Sequence, residues 1–230
     1  MTKTPFILAI DGPAGAGKST VARRVASELG FTYLDTGAMY RAVAWKLSTC
    51  CVVEELSAVS IAETCEIGLS TLDENLRQMV TIDGIDVTNL IRTPAISQLT
   101  SMVSAFAGVR TAIVAQQRVL GRSAGQGVVL EGRDIGTVVF PNANLKLFLT
   151  ALPAERARRR YDELKVKGEA ISFEEVLADQ LQRDERDSQR VDSPLKPAAD
   201  AAMLLTDDLT IGEVVNLIIT MCRKKMDAIL

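Results

Sequence analysis

Residues 6–20 read FILAIDGPAGAGKST, an apolar run that leads into a glycine-rich loop. The uninterrupted apolar run at 6–10 is typical of a parallel strand buried on both faces. Over 18–29 apolar residues recur at helical spacing, and Gly30 ends the predicted helix. The loop at 12–19 fits the phosphate-binding pattern GxxxxGK[ST]. The alternative is a glycine-rich turn that only caps a helix, but strand, loop, lysine and helix agree on a nucleoside triphosphate site.

Each part of this P-loop has a predicted role. The glycines let backbone amides converge on phosphate oxygens, and the helix N-terminus adds a favourable dipole. We expect Lys18 to span the β- and γ-phosphates from an exposed loop end, and the Ser19 hydroxyl to reach Mg²⁺. The predicted ATP-binding residues of the loop are Gly12, Pro13, Ala14, Gly15, Ala16, Gly17, Lys18, Ser19 and Thr20.

Further buried apolar runs predict that the first strand belongs to a five-stranded parallel sheet. The short crossover between the first two strands favours a right-handed parallel connection. The additional strands are predicted at 31–34, 127–130, 145–149 and 203–205, and further helical stretches at 94–121 and 211–223.

Two segments break the alternation of strands and helices. The sequence MVTIDGIDV at 79–87 predicts a hairpin with Asp83 and Gly84 at its turn. The charge-dense segment at about 153–192 predicts two helices that form a mobile flap. We therefore divide one domain into a core, an insert and a lid. The core comprises 1–62, 96–152 and 193–230, the insert about 63–95, and the lid about 153–192.

Composition excludes several classes of mechanism and partner. The 230 residues are 47% hydrophobic and 24% charged, which suits one globular domain. Lys and Arg number 26 against 29 Asp and Glu, so the chain lacks a global basic field for nucleic acid or an anionic membrane. Histidine is absent, which excludes Ser/His and Cys/His catalysis. Lysine, arginine, carboxylates and backbone amides remain as catalytic groups.

The cysteines and the first residues indicate a cellular compartment. Cys50, Cys51, Cys65 and Cys222 follow no CxxC spacing, so we expect reduced, mostly buried thiols. The apolar run at 6–10 is too short for a signal peptide or a membrane span. We expect a soluble, cytoplasmic monomer with no nucleic-acid or membrane partner. The pattern assigns no role to the Cys50–Cys51 pair.

A P-loop alone does not separate kinases, switch GTPases and motor ATPases. The chain contains neither an NKxD nor a DxxG motif, which argues against a GTPase. An insert and an arginine-rich flap suit an enzyme that closes over two phosphorylated substrates and excludes water. An acceptor that is itself a phosphate is already anionic and needs no general base, which agrees with the missing histidine.

Three further segments carry a specific resemblance. They are DTGAMYR at 35–41, EGRDIGTVVFP at 131–141 and RDERDSQR at 183–190. Together with the P-loop they resemble the bacterial cytidylate kinases, in order and spacing, over about residues 7–225.

This resemblance implies an α/β, three-layer P-loop kinase with a five-stranded parallel sheet, a small hairpin-containing insert that binds the nucleoside monophosphate, and a helical lid. It implies transfer of the γ-phosphoryl group from ATP, with Mg²⁺ as cofactor, to CMP or dCMP. Two alternatives stay open: a kinase for another nucleoside monophosphate, and a regulatory module that hydrolyses ATP slowly.

The resemblance also implies which residues bind the acceptor. Asp134 accepts from the cytosine amino group, while Ser101 and Arg110 address the ring acceptors. Uracil would present a carbonyl to the Asp134 carboxylate, which disfavours it. The implied substrate-binding residues are Thr36, Tyr40, Arg41, Ser101, Arg110, Arg133, Asp134, Asp187 and Arg190.

The implied catalytic residues are Lys18, Arg133, Arg183 and Arg190. Arginines suit phosphoryl transfer because their planar forks grip phosphate oxygens and stay charged. Ser19 and Glu131 are expected to hold Mg²⁺, Glu131 through water. Arg158 and Arg159, together with Arg156, are expected near the ATP phosphates.

Several of these residues either differ from the family pattern or could have a structural role instead of a functional one. Thr36 stands where the family commonly has serine, and Glu131 where it has aspartate. Tyr40 could be a packed aromatic residue. Glu131 could form a structural ion pair with an arginine, and Ser101 could be an ordinary helix hydroxyl. The arginine run at 156–159 could be a solvated helix face.

Overall fold

The computed structural model describes residues 4–50, 53–166 and 168–228. The strands are β1 (Phe6–Asp11), β2 (Thr32–Asp35), β3 (Ile67–Leu72), β4 (Gln78–Ile82), β5 (Ile85–Asp86), β6 (Gly127–Gly132), β7 (Leu145–Thr150) and β8 (Ala202–Leu205). The helices are α1 (Lys18–Leu29), α2 (Thr36–Ser48), α3 (Glu55–Thr64), α4 (Pro94–Val103), α5 (Ala107–Ser123), α6 (Pro153–Val166), α7 (Phe173–Ser188) and α8 (Ile211–Asp227). A 3-10 turn at Leu90–Arg92 precedes α4, and a π-helical turn at Ile135–Val139 follows β6.

The predicted five-stranded parallel sheet is confirmed. Its strand order is β2-β6-β1-β7-β8, and every neighbouring pair is parallel. All six residues of β1 are buried, as the apolar run predicts. Leu8 and Ile10 pack with Val25 of α1 and Val215 of α8, while the intervening residues face α5. Helices therefore cover both faces, and the fold is a three-layer α/β sandwich.

The predicted hairpin is also confirmed, as part of a separate three-stranded antiparallel sheet in the order β3-β4-β5. Asp83 has φ 50° and Gly84 has φ 78°, the two positive angles that a tight hairpin turn of this type needs. The hairpin pattern did not predict β3, which pairs with β4 across a register shift. The small sheet packs against α2 and α3. The limits of the insert as a binding unit stay a prediction.

The prediction of one helical stretch at 94–121 is wrong in one respect: the segment is helical but forms two helices, α4 and α5, with a break at 104–106. At the break, the Ser104 hydroxyl donates to the Ser101 carbonyl (3.3 Å), a local bond that competes with helix continuation. Gly108 then packs so closely on α3 that an added Cβ would lie 2.7 Å from Val59 Cγ2. The break therefore lets α5 turn onto α3.

The lid segment contains the two predicted helices, α6 and α7. Ala157, Leu164 and Val176 form a small core between them. At the start of α7, Ser172 accepts from the Glu175 amide while the Glu175 carboxylate accepts from the Ser172 amide, a capping box. The lid therefore has hydrophobic contacts of its own, and its mobility stays a prediction.

The cysteine expectation is partly confirmed. Cys65 and Cys222 are buried free thiols, Cys50 is exposed, and Cys51 lies outside the described residues. Burial raises the pKa of Cys65 to about 11 and that of Cys222 to about 12. In the ranges that the structure describes, no helix has the length and apolar character needed to cross a membrane.

Gly12 provides a test of how tightly the P-loop packs on the sheet. Its φ is 146°, and an added Cβ would lie 1.9 Å from the Leu149 carbonyl oxygen of β7. Gly12→Ala should therefore lower the free energy of unfolding by about 3 kcal/mol, because backbone must shift. Denaturant unfolding of the nucleotide-free protein measures this loss.

Gly125→Ala is the matched control, because an added Cβ there meets nothing within 4 Å. We expect it to change stability by less than about 0.5 kcal/mol. Equal unfolding midpoints for the two variants would contradict the close packing of Gly12.

Candidate active site

The carboxyl ends of the parallel strands form the base of the candidate site. The register pairs Asp11 with Gly132 and Asp35 with Glu131, so three acidic side chains end at one edge of the sheet. Open α/β sheets bind their ligands at this edge. A cleft of about 1190 Å³ opens there, lined by the P-loop, α2, α4, the loop after β6, the lid and the start of α8.

Nearly all predicted site residues line this one cleft. Gly12 and Pro13 contribute inside the loop instead, where their carbonyl oxygens accept from Arg133 and Lys18. The predicted residues that line the cleft are Ala14, Gly15, Ala16, Gly17, Lys18, Ser19, Thr20, Thr36, Tyr40, Arg41, Ser101, Arg110, Glu131, Arg133, Asp134, Arg158, Arg159, Arg183, Asp187 and Arg190.

The start of α1 is built to hold an anion. Gly17 precedes the helix in a left-handed conformation (φ 83°), and as a glycine it has no side chain to cap the first-turn N–H groups. An added Cβ at Gly17 would meet nothing within 4 Å, so the approach to these groups is open. The amides and the helix dipole together favour a phosphate at this position.

Lys18 is buried, contrary to the expected exposed loop end. Its Nζ donates to the Pro13 carbonyl oxygen (2.8 Å) and so lies across the loop. Burial and the nearby Arg133 lower the pKa of Lys18 to about 7. The negative charge of a bound triphosphate would favour the protonated form. Binding of phosphate at this site is therefore electrostatically favourable.

Glu131 lies buried beside the P-loop and accepts a hydrogen bond from the Tyr33 hydroxyl. Burial and the Asp35 carboxylate raise the pKa of Glu131, while Lys18 and the Ser19 hydroxyl oppose this shift. In the described part of the chain, the carboxylate interacts with the hydroxyls of Tyr33 and Ser19 and forms no ion pair with an arginine. Glu131 and Ser19 thus offer two hard oxygen donors at one place, which is the donor type that Mg²⁺ prefers.

Arg110 and Asp134 form a buried ion pair that also lines the cleft. The Arg110 guanidinium also lies over the Tyr40 ring, 5.5 Å from its centroid. Tyr40 is therefore packed, and it still lines the cleft. Its structural alternative also expects a satisfied hydroxyl, but among the described residues the buried Tyr40 hydroxyl has no hydrogen-bond partner. Ser101 lines the cleft one turn of α4 away from the break. The Arg110–Asp134 pair therefore presents a positive and a negative group side by side in the cleft.

Arginines from the sheet edge and the lid meet at one buried carboxylate. Arg133 Nε donates to Asp187 (2.9 Å), and Arg190 donates to the other oxygen of Asp187. Although burial opposes it, the two arginines lower the pKa of Asp187. Burial and the nearby Arg133 lower the pKa of Arg183 to about 10, so it remains charged at neutral pH. The centre of the cleft is consequently cationic.

The lid arginines at 156–159 have three different surroundings. Arg156 is buried and donates to the Ala14 and Ala151 carbonyl oxygens, so it holds the P-loop rather than lining the cleft. Arg158 is largely exposed and pairs with Glu155, as a solvated helix face would. Arg159 donates to the Thr206 carbonyl oxygen (2.8 Å). Contacts of Arg158 and Arg159 with ATP stay predictions.

The Thr36 hydroxyl has a structural partner. It donates to the Glu131 carbonyl oxygen (2.5 Å) and so fixes the end of β6 against the start of α2. Beside it, Asp35 accepts from the Ala38 amide and caps α2. Thr36 itself is buried. Contact of Thr36 with an acceptor phosphate stays a prediction.

Asp11 is a site residue that the sequence analysis missed. Its two carboxylate oxygens accept from the Ile135 and Gly136 amides, each at 2.8 Å. It thereby ties the end of β1 to the loop that carries Arg133 and Asp134. Burial raises the pKa of Asp11 to about 6. A charged residue directly between a buried strand and the P-loop was the available signal.

The parallel sheet, the P-loop and the helical lid over a cationic cleft define a P-loop kinase. The cytidylate kinase family matches residues 8–224, and the chain belongs to this family.

Two relatives illustrate the similarity. A cytidylate kinase from Desulfitobacterium hafniense (strain Y51) is 48% identical over 223 residues, which cover 96% of this chain and 94% of that protein. A bifunctional pantoate ligase/cytidylate kinase from Synechocystis sp. is 48% identical over 221 residues. That match covers 95% of this chain but 43% of the bifunctional protein, so this chain spans less than half of that relative.

A solved structure from Chloroflexus aurantiacus shares the fold at a TM-score of 0.51 and 12% identity, covering 99% of both chains. At this identity the likeness concerns the fold alone.

The raised pKa of Asp11 predicts how protein stability depends on pH. The folded-state pKa of about 6 exceeds the ordinary value of 3.8, so the folded protein binds this proton more tightly than the unfolded chain. The stabilisation is therefore complete below pH 4 and is lost as pH rises through 6. Relative to Asp11→Asn, wild-type unfolding free energy should fall by up to about 3 kcal/mol between pH 4 and 7. Urea unfolding at several pH values measures it.

Asp11→Asn also removes one of the two side-chain oxygens that accept from the Ile135 and Gly136 amides, which costs about 1 to 3 kcal/mol at every pH. This offset does not affect the slope. A difference between the two proteins that stays constant from pH 4 to 7 would show that Asp11 ionises normally.

Proposed function

We propose that this protein transfers the γ-phosphoryl group of MgATP to CMP or dCMP and releases ADP with CDP or dCDP. The observation that carries the proposal is the buried Arg110–Asp134 pair, which faces the same cleft as the P-loop. Membership of the cytidylate kinase family supports it.

Donor and acceptor would occupy opposite ends of the cleft. The P-loop amides would hold the triphosphate, with the donor nucleoside toward Thr206 and Ile211 at the other side of the loop. The acceptor base would lie near Ser101, Arg110 and Asp134. Asp134 can accept from the cytosine amino group, whereas uracil would place a carbonyl against this carboxylate. This arrangement supports cytosine as the base.

The reaction needs positioned charge rather than a base. An oxygen of the acceptor phosphate attacks the γ-phosphorus, the bond to the bridging β,γ-oxygen breaks, and ADP leaves with that oxygen. Lys18, Arg133, Arg183 and Arg190 would neutralise the charge that spreads over the transferring group. Because the nucleophile is already ionised, no side chain has to accept a proton.

Mg²⁺ would bind between Ser19 and Glu131, with further oxygens from ATP and water. When bound, it would neutralise charge on the β- and γ-phosphates. Tyr33 would hold the longer glutamate side chain in place through its hydroxyl. This network supports the use of glutamate where aspartate is common in the family.

The direct test is a panel of acceptors. ADP formation from MgATP is measured with CMP, dCMP, UMP, AMP or GMP, and without an acceptor. We expect CMP and dCMP to give the highest kcat/KM. Comparable turnover of UMP would favour a broader pyrimidine kinase, and hydrolysis independent of acceptor would favour a regulatory ATP-binding module.

Lys18→Ala should lower kcat with CMP by about 10³-fold, because a buried cation aimed at the phosphates is lost. Its stability should change little, because the lost bond to the Pro13 carbonyl is offset by relief of the unfavourable charge burial that lowers the pKa of Lys18. Lys46→Ala is the control, since Lys46 pairs with Asp83 in the exposed hairpin turn. Near-normal turnover by folded Lys18→Ala would refute the donor site.

Asp134→Asn should reduce the preference for CMP over UMP. The amide can accept from the cytosine amino group or, after a flip, donate to the uracil carbonyl. The ratio of the two kcat/KM values should fall by roughly one to two powers of ten, mainly through poorer use of CMP. The variant should also lose about 1 to 3 kcal/mol of stability, because Arg110 loses its anionic partner.

The kinetics are therefore compared at a temperature where circular dichroism shows Asp134→Asn to be folded. Asp86→Asn, in the exposed hairpin, should keep the wild-type ratio. If Asp134→Asn also keeps the wild-type ratio of kcat/KM for CMP over UMP, the carboxylate does not recognise the base and its role is the ion pair with Arg110.

A further inference from the structure

Ser104 lies at the break between α4 and α5, between the proposed base-reading residues and the lid. It is buried and lines the cleft. Because the helix ends here, the Ser104 carbonyl is not taken up by a continuing helix. It accepts from Arg110 Nη1 at 3.2 Å. The main chain of Ser104 therefore supports the arginine that pairs with Asp134.

The side chain of the same residue contacts the lid. Arg190 Nη2 donates to Ser104 Oγ at 3.3 Å, and Ser104 Oγ donates to the Ser101 carbonyl oxygen at 3.3 Å. The hydroxyl is thus oriented by one bond and offers its oxygen to the lid arginine through the other. A serine in this position can accept from Arg190 without leaving its own proton unpaired.

Charged contacts continue from this serine to the P-loop. Arg190 and Arg133 both donate to Asp187, and Arg133 Nη1 also donates to the Gly12 carbonyl oxygen at 3.0 Å. A shift of Ser104 would therefore reach the arginines proposed to act on the transferring phosphoryl group. On the other side, Arg110 donates to the Ser104 carbonyl and pairs with Asp134, the residues proposed to meet the acceptor base.

We propose that Ser104 is a positioning residue that couples recognition of the acceptor base to closure of the lid over the phosphates. The inference rests on the proposed function and deepens it. When the base fixes Arg110, the break at Ser104 is fixed with it, and its hydroxyl holds Arg190 at the phosphate end. Ser104 touches neither reacting atom, so it acts through the two arginines.

Ser104→Ala tests this coupling, because it removes the lid contact, together with the bond to the Ser101 carbonyl, and retains the Ser104 carbonyl that supports Arg110. We expect kcat with CMP to fall about five- to tenfold, as loss of a charge-assisted hydrogen bond predicts. The Kd of CMP in the absence of ATP, measured by calorimetry, should change less than about twofold. Ser123→Ala is the control. Among the described residues, the Ser123 hydroxyl donates to the Leu120 carbonyl of its own helix and makes no other hydrogen bond.

A double-mutant cycle with Arg190→Ala separates coupling from a merely structural effect. In the Arg190→Ala background, adding Ser104→Ala should change kcat less than about twofold, since the contact is already lost. A structural defect would instead lower kcat by the same factor in both backgrounds. Hydrogen exchange of α7 gives a second readout: CMP with a non-hydrolysable ATP analogue should protect it less in Ser104→Ala than in wild type.

The outcomes are distinguishable. Wild type that phosphorylates CMP, with Ser104→Ala equal to it in kcat and in exchange of α7, overturns the coupling and leaves the proposed function intact. Equal effects of Ser104→Ala in both backgrounds overturn the coupling as well. Wild type that is inert toward CMP in the acceptor panel overturns the proposed function and this inference with it.

Discussion

The parallel pairing of β1 with β6 sets the position of every other part of the site. It places Asp11 opposite Gly132, so the P-loop and the loop with Arg133 and Asp134 leave the sheet side by side. The Asp11 carboxylate then binds two amides of the second loop and fixes the separation between them. A phosphate held by one loop is therefore in reach of the arginine on the other.

This proximity has an electrostatic cost that the buried carboxylates reduce. Lys18, Arg133 and Arg183 lie close enough that burial and mutual repulsion lower the pKa of Lys18 and of Arg183. Asp187 accepts from Arg133 and Arg190, and it offsets part of the repulsion. Phosphate groups would offset more of it. The clustered cations thus destabilise the ligand-free folded protein, and anionic ligands relieve this repulsion when they bind. Such a trade-off between stability and function is common at functional sites.

The lid is joined to the core by contacts from both of its helices. Arg156 donates to Ala14 and pairs with Asp184 of α7, while an added Cβ at Gly15 would lie 2.9 Å from Gln180. These contacts tie both lid helices to the P-loop. At the end of α7, Asp187 pairs with Arg133 of the loop after β6, and Arg190, two residues beyond the helix, donates to Ser104 Oγ at 3.3 Å. The lid helices are therefore held both to the P-loop and to the loop after β6.

Local sequence patterns determined the sheet strands, the P-loop, the hairpin turn at Asp83 and Gly84, and the two lid helices. Each depends on residues within a few positions of one another, so periodicity and turn chemistry are sufficient. The motifs also identified residues that line one cleft. Only the tertiary structure decided that Asp134 pairs with Arg110, that Arg156 supports the P-loop, and that the helix predicted at 94–121 breaks at Ser104. These features depend on contacts between residues far apart in the chain, such as Gly108 with Val59 and Arg190 with Ser104. Local propensity carries no information about such contacts, because packing and buried charge pairing form only when the elements meet.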